Sequence, residues 1–428
     1  MFRKAGLRRS IPLCLGLSLA FAITATAGAS AATLYVSNSA PVVAHGASCA
    51  QPDFNGVQAA ITAGGANAKI SVCPGTYTEQ LAITKSVKLS AASGPGTATV
   101  AMPASPGEST TACDTKDGLK QIDEVSICTP TPGIVSITGL EIEAVVPLRG
   151  CGIGLNGIFV GEGTLKATNL VVNGATTSFP EERGCQIGIA ITVGWIEPTE
   201  VAHAVLKGVT VLGYEKNGPT VSGEGSTMIV ENSTVSGEGP DTHTAQNGIQ
   251  VGFGGEGTIK STTVSGNECD VPVCGASSPE QAGGVLFYGA APGSSISSST
   301  IKENDYGAYY GSMSETQPAA PEVTFTKDVL TSNRYEGFVL EGGKALLSKD
   351  TINGSGDVGI ELEQYEGQLA SESSATHTKV EDQTEAAIKV ESDKKPGDKE
   401  GTFDFTDGTF SGDATVLINE SSNFEVVL

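Results

Sequence analysis

A short phrase that opens on a glycine returns along this chain and limits what it can fold into. Gly157-Ile158-Phe159-Val160-Gly161 reappears as Gly188-Ile189-Ala190-Ile191-Thr192, Gly248-Ile249-Gln250-Val251-Gly252 and Gly284-Val285-Leu286-Phe287-Tyr288. Gly337-Phe338-Val339-Leu340-Glu341 and Gly359-Ile360-Glu361-Leu362-Glu363 follow. Neighbouring copies stand 22 residues apart (Gly337 to Gly359), 31 (Gly157 to Gly188) and 36 (Gly248 to Gly284). A single copy is too short to bury its own apolar side, so the copies must stack on one another. Strands returning at such a period mean a solenoid or a propeller.

Aligning the copies on their glycines sorts the side chains. Ile158, Ile189, Ile249, Val285, Phe338 and Ile360 occupy one slot, and Val160, Ile191, Val251, Phe287, Leu340 and Leu362 the slot two residues on. Alternation puts both slots inside, stacked at the strand spacing of ~4.8 Å. Phe159, Ala190, Gln250, Leu286, Val339 and Glu361 then face outward, joined by Tyr309 from Gly307-Ala308-Tyr309-Tyr310. Asn173, Asn267, Asn333 and Asn353 suit corners with left-handed backbone or internal amide ladders.

The first 31 residues read as an export signal. Arg3, Lys4, Arg8 and Arg9 form a basic head, Ile11 to Ile23 an apolar stretch, and Ala27-Gly28-Ala29 or Ala29-Ser30-Ala31 a cleavage site. Thirteen apolar residues are too few for a bilayer, which needs about 20. No second long apolar run follows, so residues 32–428 are expected as one domain that does not insert into membranes. Cleavage removes four basic and no acidic residues. It takes the formal charge from −23 to −27, 21 basic against 48 acidic residues. Such a surface repels nucleic acid and anionic membrane. It also disfavours a polyanionic substrate unless cations bridge the two.

Eight cysteines remain, an even number in an exported chain, and spacing suggests local pairs. These are Cys49 with Cys73, Cys113 with Cys128, Cys151 with Cys185, and Cys269 with Cys274. His45, His203, His243 and His377 are too scattered to complete zinc knuckles. Residues 94–133 depart from the repeat and carry Cys113 and Cys128, so they are expected as an irregular, disulfide-bearing loop.

The entry to the solenoid is more specific. Asp53 can cap a helix over 54–64 whose Phe54, Val57, Ala60 and Ile61 share a face, with Gly64-Gly65 ending it. A helix there covers the apolar open end and its unpaired strand edges. Val57-Gln58-Ala59-Ala60-Ile61 followed by Ile70-Ser71-Val72-Cys73-Pro74-Gly75-Thr76-Tyr77-Thr78-Glu79 resembles the N-terminal block of secreted right-handed parallel β-helix proteins. These form the pectin lyase-like superfamily, which includes pectin methylesterases. The close match covers residues 54–90, and the rest shares only the glycine-and-aliphatic coil pattern. The resemblance implies an all-β chain folded as a right-handed parallel β-helix with a short N-terminal capping helix.

It carries no catalytic residue over. The later methylesterase motifs of the Gln-Asp-Thr and Asp-Phe-Ile-Phe-Gly kind are absent, as are the Asn-Thr-Asp, Asp-Asp, Gly-His-Gly and Arg-Ile-Lys motifs of polygalacturonase-type hydrolases. Lyases of this fold use a basic residue with calcium, but the mature chain has only Arg149, Arg183 and Arg334. Arg183 reads as a solvated salt-bridge residue and Arg334 as a corner cap. Gly254-Gly255-Glu256-Gly257-Thr258-Ile259 lacks the Asp of a calcium-roll repeat and reads as a plain turn. Glu361, Glu363 and Glu366 offer oxygens to Ca²⁺, although a solvated acidic face is the better reading and no metal is expected.

The outward Phe159, Leu286 and Tyr309, with Tyr288, Tyr335 and Glu361 nearby, suggest a stacking platform for sugar rings. Burial under loops is the competing reading. The sequence therefore points to an exported β-helix that binds polysaccharide or a cell-surface glycan without a recognised catalytic set. A polysaccharide lyase or glycoside hydrolase and a structural envelope or adhesion protein are the alternatives. The catalytic residues, the ligand and the oligomeric state stay open.

Overall fold

The computed structural model describes residues 32–428 apart from 114–119, 148–150, 180–182, 185–186, 196–199, 271–281, 312–321, 366–369, 393–399 and 422. The export signal, Arg149, Cys185, Cys274 and Glu366 lie outside the described residues. From Ala32 onward the chain forms one compact unit.

Each coil lays down three strands, and each strand pairs in parallel with its counterpart in the next coil. Thr33–Val36 opens the first ladder and pairs with Ala68–Val72, while Gly75–Thr78 and Leu81–Ile83 start the second and third. Val87–Ala91, Ala98–Ala101 and Gln121–Cys128 add the next strand to each. The pattern continues to Phe424–Val427, Thr409–Ser411 and Leu417–Asn419. Aliphatic side chains from all three ladders fill the interior as one continuous core. The stretch 94–133 is less irregular than expected, because it contains the strands Ala98–Ala101 and Gln121–Cys128. Between them, the described residues 102–113 carry no ladder strand.

The inward slots are stacked as the periodicity requires, with one correction. Ile158 pairs with Ile191 and Val160 with Val193, so the Gly188 copy is shifted by two residues. Ile189 is half-buried opposite Asn156, Ala190 stands in the glycine column and Thr192 takes the outward slot. A copy without an aliphatic signature, Gly218-Pro219-Thr220-Val221, fills the following coil.

The glycine column exists because of close approach rather than a left-handed backbone. A Cβ at Gly248, Gly284, Gly307 or Gly337 would lie 2.5–2.6 Å from the carbonyl oxygen of Gly284, Gly307, Gly337 or Gly359 respectively. Left-handed residues lie at another corner, between the first and second ladders. There Asn169, Asn232, Ser261, Ser298, Lys327, Lys349, His377 and Asp407 all have φ between +49° and +63°. The residue after each of the first seven is buried, apolar at Leu170 and polar in later coils (Ser299, Asp328, Asp350). Asn267, Asn304 and Asn333 form the internal amide ladder at the turn into the third ladder, with Nδ2 to Oδ1 distances of 2.9 and 3.1 Å. Asn173 lies inside its strand, where the register shifts, and Asn353 ends its strand.

The helix Val57–Ala63 covers the first coil, with Val57, Ala60 and Ile61 buried. Asp53 does not cap it. Gly56 is the N-cap, and the Glu79 carboxylate accepts the N–H groups of Val57 (2.6 Å) and Gln58 (3.0 Å). Asp53 instead accepts from the backbone N–H of Tyr35 and Gly46. Disulfides join Cys49 to Cys73 and Cys113 to Cys128, as the spacing predicted. Cys151 and Cys269 are also disulfide-bonded, while the expected partners Cys185 and Cys274 fall outside the described residues.

Candidate functional site

The outer face of the third ladder gathers most of the side chains expected to bind. Phe159, Thr192, Thr220, Gln250, Leu286, Tyr309, Val339, Glu361 and Lys389 stand in one register row, each opposite its counterpart in the next coil. Tyr288, Gly311, Glu341, Glu363 and Glu391 form the row beside it. Both rows follow from the two-residue alternation of strands locked in register by the core.

Coverage of the face is uneven. Phe159 is fully buried beneath the Cys113–Cys128 disulfide and meets Trp195 edge-on with centroids 4.9 Å apart. It is therefore a strand residue buried against Cys113 and Cys128 rather than part of an open platform. Gln250, Leu286, Tyr288 and Tyr309 are half-buried. Tyr288 packs edge-on against Phe253, and Tyr309 lies against Tyr306, whose ring occupies the space a Cβ on Gly283 would need. Tyr335 lies off the face, at the turn before the strand Glu336–Glu341, with the Arg334 guanidinium over its ring.

At the N-terminal end of the face, a cavity of about 220 Å³ opens beside Ala82 and Ser126, lined also by Gln58, Gln80, Ser109 and Thr111. Its amides and hydroxyls bond largely to one another and to the backbone. Gln80 spans Gly107 and Asp123, and Gln58 holds Ala82.

The other end is acidic. Glu361, Glu363 and Glu391 can each bring one carboxylate oxygen within 4.8 Å of the others. Lys389 is their cation, 2.6 Å from Glu391, 3.5 Å from Glu361 and 4.0 Å from Glu385. Glu336, 5% exposed, has an Oε2 without a hydrogen-bond partner. Burial and then the Glu361, Asp357 and Glu363 charges push the Glu336 carboxyl up to about 9. Glu361 and Glu363 rise to about 7 through burial and then the neighbouring Glu363 and Glu341 respectively, and Glu341 to about 7 through burial alone. Burial pulls the Lys389 ammonium down, but its bonds to Glu391 and Glu361 win and hold it above the usual lysine range.

The sequence placed Glu361 and Glu363 in this cluster but missed Glu391, which pairs with Glu363 one coil later. That coil begins at Ala387 instead of glycine, which hid the copy Ala387-Ile388-Lys389-Val390-Glu391. Glu336 was missed because it precedes its glycine.

Arg183 and Arg334 are engaged elsewhere. Arg334 does more than cap a corner: it meets Asp270 at 2.8 Å, Asp305 at 3.4 Å and Glu268 at 3.7 Å. Arg183 pairs with Glu238 at 2.8 Å. Gly254 and Phe253 form a left-handed turn, as expected of a plain connection.

The family described as "Right handed beta helix region" matches residues 188–369. The catalytic domain of a GH87 α-1,3-glucanase is similar in structure. Its nigerose complex superposes with a TM-score of 0.55 at 13% identity, and its complex with tetrasaccharides with 0.57 at 12%. In both cases 84% of this chain is covered, and it spans 63% of that domain's length. The A-module of the mannuronan C-5 epimerase AlgE6 from Azotobacter vinelandii superposes at 0.48 with 13% identity, covering 86% of this chain and 92% of that one. No curated protein matches the chain. Repeat, register and family match agree: this chain folds as a right-handed parallel β-helix.

Proposed function

We propose that the chain binds a polysaccharide along the outer face of the third ladder, outside the cytosol. The observation that carries this reading is the continuous row running from half-exposed Gln250, Leu286 and Tyr309 into the acidic cluster at Glu361. A ladder that presents Gln250, Leu286 and Tyr309 in successive coils suits a ligand that itself repeats. Sugar-acting neighbours of the same fold support the choice of polymer by analogy alone. The disulfides suit an oxidising compartment, in line with the export signal read from residues 1–31. Among the described residues no helix is long and apolar enough to cross a membrane.

One observation favours a second reading, glycoside hydrolysis. A carboxyl kept protonated near neutral pH beside an ionised one is the pairing such chemistry needs. Glu361, Glu363 and Glu391 supply carboxyls with oxygens within 4.8 Å of one another, the first two with raised pKa values. The two readings part in one experiment: the purified mature chain is incubated with neutral and acidic polysaccharides, and new reducing ends and bound polymer are both measured. Binding without new ends supports the first, and new ends that vanish in Glu361→Gln support the second. Neither signal on any polymer would overturn both and leave a structural or adhesion role.

A further inference from the structure

We propose that Gln250, Leu286 and Tyr309 together select an N-acetylated sugar: the Gln250 amide N–H groups donate to the acetamido carbonyl, Leu286 receives its methyl and Tyr309 the pyranose ring. This rests on the polysaccharide-binding reading and names the sugar class. The three side chains are half-buried and stand in one register row, one per coil, at the ~4.8 Å strand spacing.

A buried chain of hydrogen bonds beside that row fixes which way the Gln250 amide points. The Tyr306 hydroxyl donates to Oδ1 of Asn247 at 3.2 Å, and Nδ2 of Asn247 donates to Oδ1 of Asn217 at 3.0 Å. Nδ2 of Asn217 then donates to Oε1 of Gln250 at 2.9 Å. Tyr306, Asn217 and Asn247 are all buried. Tyr306 reaches Asn247 across a whole coil because Gly283, the residue between them in register, has no side chain and the ring fills its place. Burial, followed by the Asp305 and Glu336 charges, holds the Tyr306 hydroxyl above the usual phenol range, so it keeps its proton and heads the chain as a donor. Each amide in turn accepts on oxygen and donates from nitrogen. Gln250 ends the chain with its oxygen used and its Nε2 without a hydrogen-bond partner among the described residues.

An amide nitrogen only donates, so it asks the ligand for an acceptor, which a sugar ammonium cannot supply. A sugar hydroxyl accepts but carries a proton of its own, and the Leu286 side chain in the next coil offers nothing to take it. A carboxylate accepts strongly, but it loses water against Leu286 and meets a formal net charge of −23. An acetamido group supplies a carbonyl that accepts and a methyl that gains from apolar contact. Tyr309 rests on the same Tyr306 ring, with centroids 5.7 Å apart, and stands in the following coil to stack on the sugar.

The test is calorimetric titration of the full mature chain with an N-acetylglucosamine oligosaccharide, its fully deacetylated form and a glucan oligosaccharide of the same linkage and length. The acetylated form should bind at least about tenfold tighter than the glucan, the scale of one net hydrogen bond with a buried methyl. The deacetylated form should lose that advantage. Gln250→Glu keeps the oxygen that Asn217 needs and removes the donor, so it should erase the preference for the acetylated form. Tyr306→Phe removes only the donor at the head of the chain. It should lower the ratio of acetylated to glucan affinity, whereas a purely structural loss would lower both affinities together. Equal wild-type affinities for the acetylated and glucan oligomers would overturn the acetamido assignment while leaving the face as a glycan site. A preference that survives Gln250→Glu, or tighter binding of the deacetylated form, would overturn it as well. No binding of any oligosaccharide would overturn both this inference and the reading beneath it.

Discussion

The Oδ1 atom of Asp350 accepts a hydrogen bond from the backbone N–H of Asp328 at 2.8 Å, and Asp328 does the same for Ser299 one coil earlier. The second oxygen of each bonds inside its own coil, to Ser348 and Thr326 at 2.9 Å. The corner between the first and second ladders is thus stitched by side chains where backbone pairing alone would leave N–H groups unmet.

Asp350→Ala should therefore leave two backbone donors without partners, at about 1–3 kcal/mol for each buried group. Asp350→Asn keeps one acceptor and turns its amide donors toward a second N–H, so it should fall between wild type and alanine. Urea unfolding of the three proteins checks the order. Equal midpoints would mean that the ladder does not hold this corner.

The glycine column gives a sharper contrast. A Cβ on Gly337 would lie 2.5 Å from the Ile352 Cγ2 and 2.6 Å from the Gly359 carbonyl oxygen, and backbone cannot move aside cheaply. Gly337→Ala should cost about 1–3 kcal/mol, the range of core overpacking. Gly65 has nothing within 4 Å of such a Cβ, so Gly65→Ala should change stability by less than about 0.5 kcal/mol. Thermal denaturation of both variants separates the two cases.

That contrast also explains how much was legible in sequence. The repeat of Gly157, Gly248, Gly284, Gly337 and Gly359 fixes the coil and its inward slots, because a two-residue alternation locked to a core leaves no other register. It fails where another residue fits the same space. Ala190 and Ala387 replace the glycine, and Pro219 fills an aliphatic slot. The left-handed corners at Lys327 and Lys349 carry no glycine or asparagine signal, since pairing on both sides imposes the backbone. The acidic site was half visible: Glu361 and Glu363 share a strand, but Glu391 joins them only through the next coil.

The inserted loop has its own reporter, because the chain contains a single tryptophan. Trp195 packs on Phe159 under Cys113–Cys128. Replacing both of these cysteines with serine removes a 15-residue link, worth about 3 kcal/mol in the chain-entropy account, and loosens the cover. Trp195 emission should shift to longer wavelength and quench more readily with acrylamide while the far-ultraviolet signal of the ladders persists. Unchanged emission would show that the cover holds without the bond.

Tyr309 tests the face itself. Its ring is half-buried and rests on Tyr306, so Tyr309→Ala should lower the melting temperature only slightly. It should weaken binding of whichever oligosaccharide the chain prefers by about tenfold, as loss of an aromatic contact and its apolar area implies. Leu286→Ala, the neighbour in the same row, should weaken it less. Calorimetric affinities that do not change in either variant would remove this row from the site.

Stability should fall as pH rises. Glu124 is fully buried, both its oxygens lack partners, and burial followed by the Glu79 and Glu143 charges pushes it up to about 9. Glu336 rises to about 9, and Asp328 and Asp350 to about 7, all chiefly through burial. Each raised carboxyl means that the folded chain holds a proton the unfolded chain has released. The associated stability is complete below the unfolded value near 4 and drains away as pH climbs through 7 for the aspartates and 9 for the glutamates. Every tenfold tightening of a carboxyl's hold on its proton corresponds to about 1.4 kcal/mol, so the melting temperature should drop by several degrees between pH 5 and pH 9. Glu124→Gln removes one such group and should flatten the upper part of that slope, gaining stability over wild type at pH 9 and little at pH 5. A variant curve that runs parallel to wild type across the range would mean that Glu124 does not hold its proton in the folded chain.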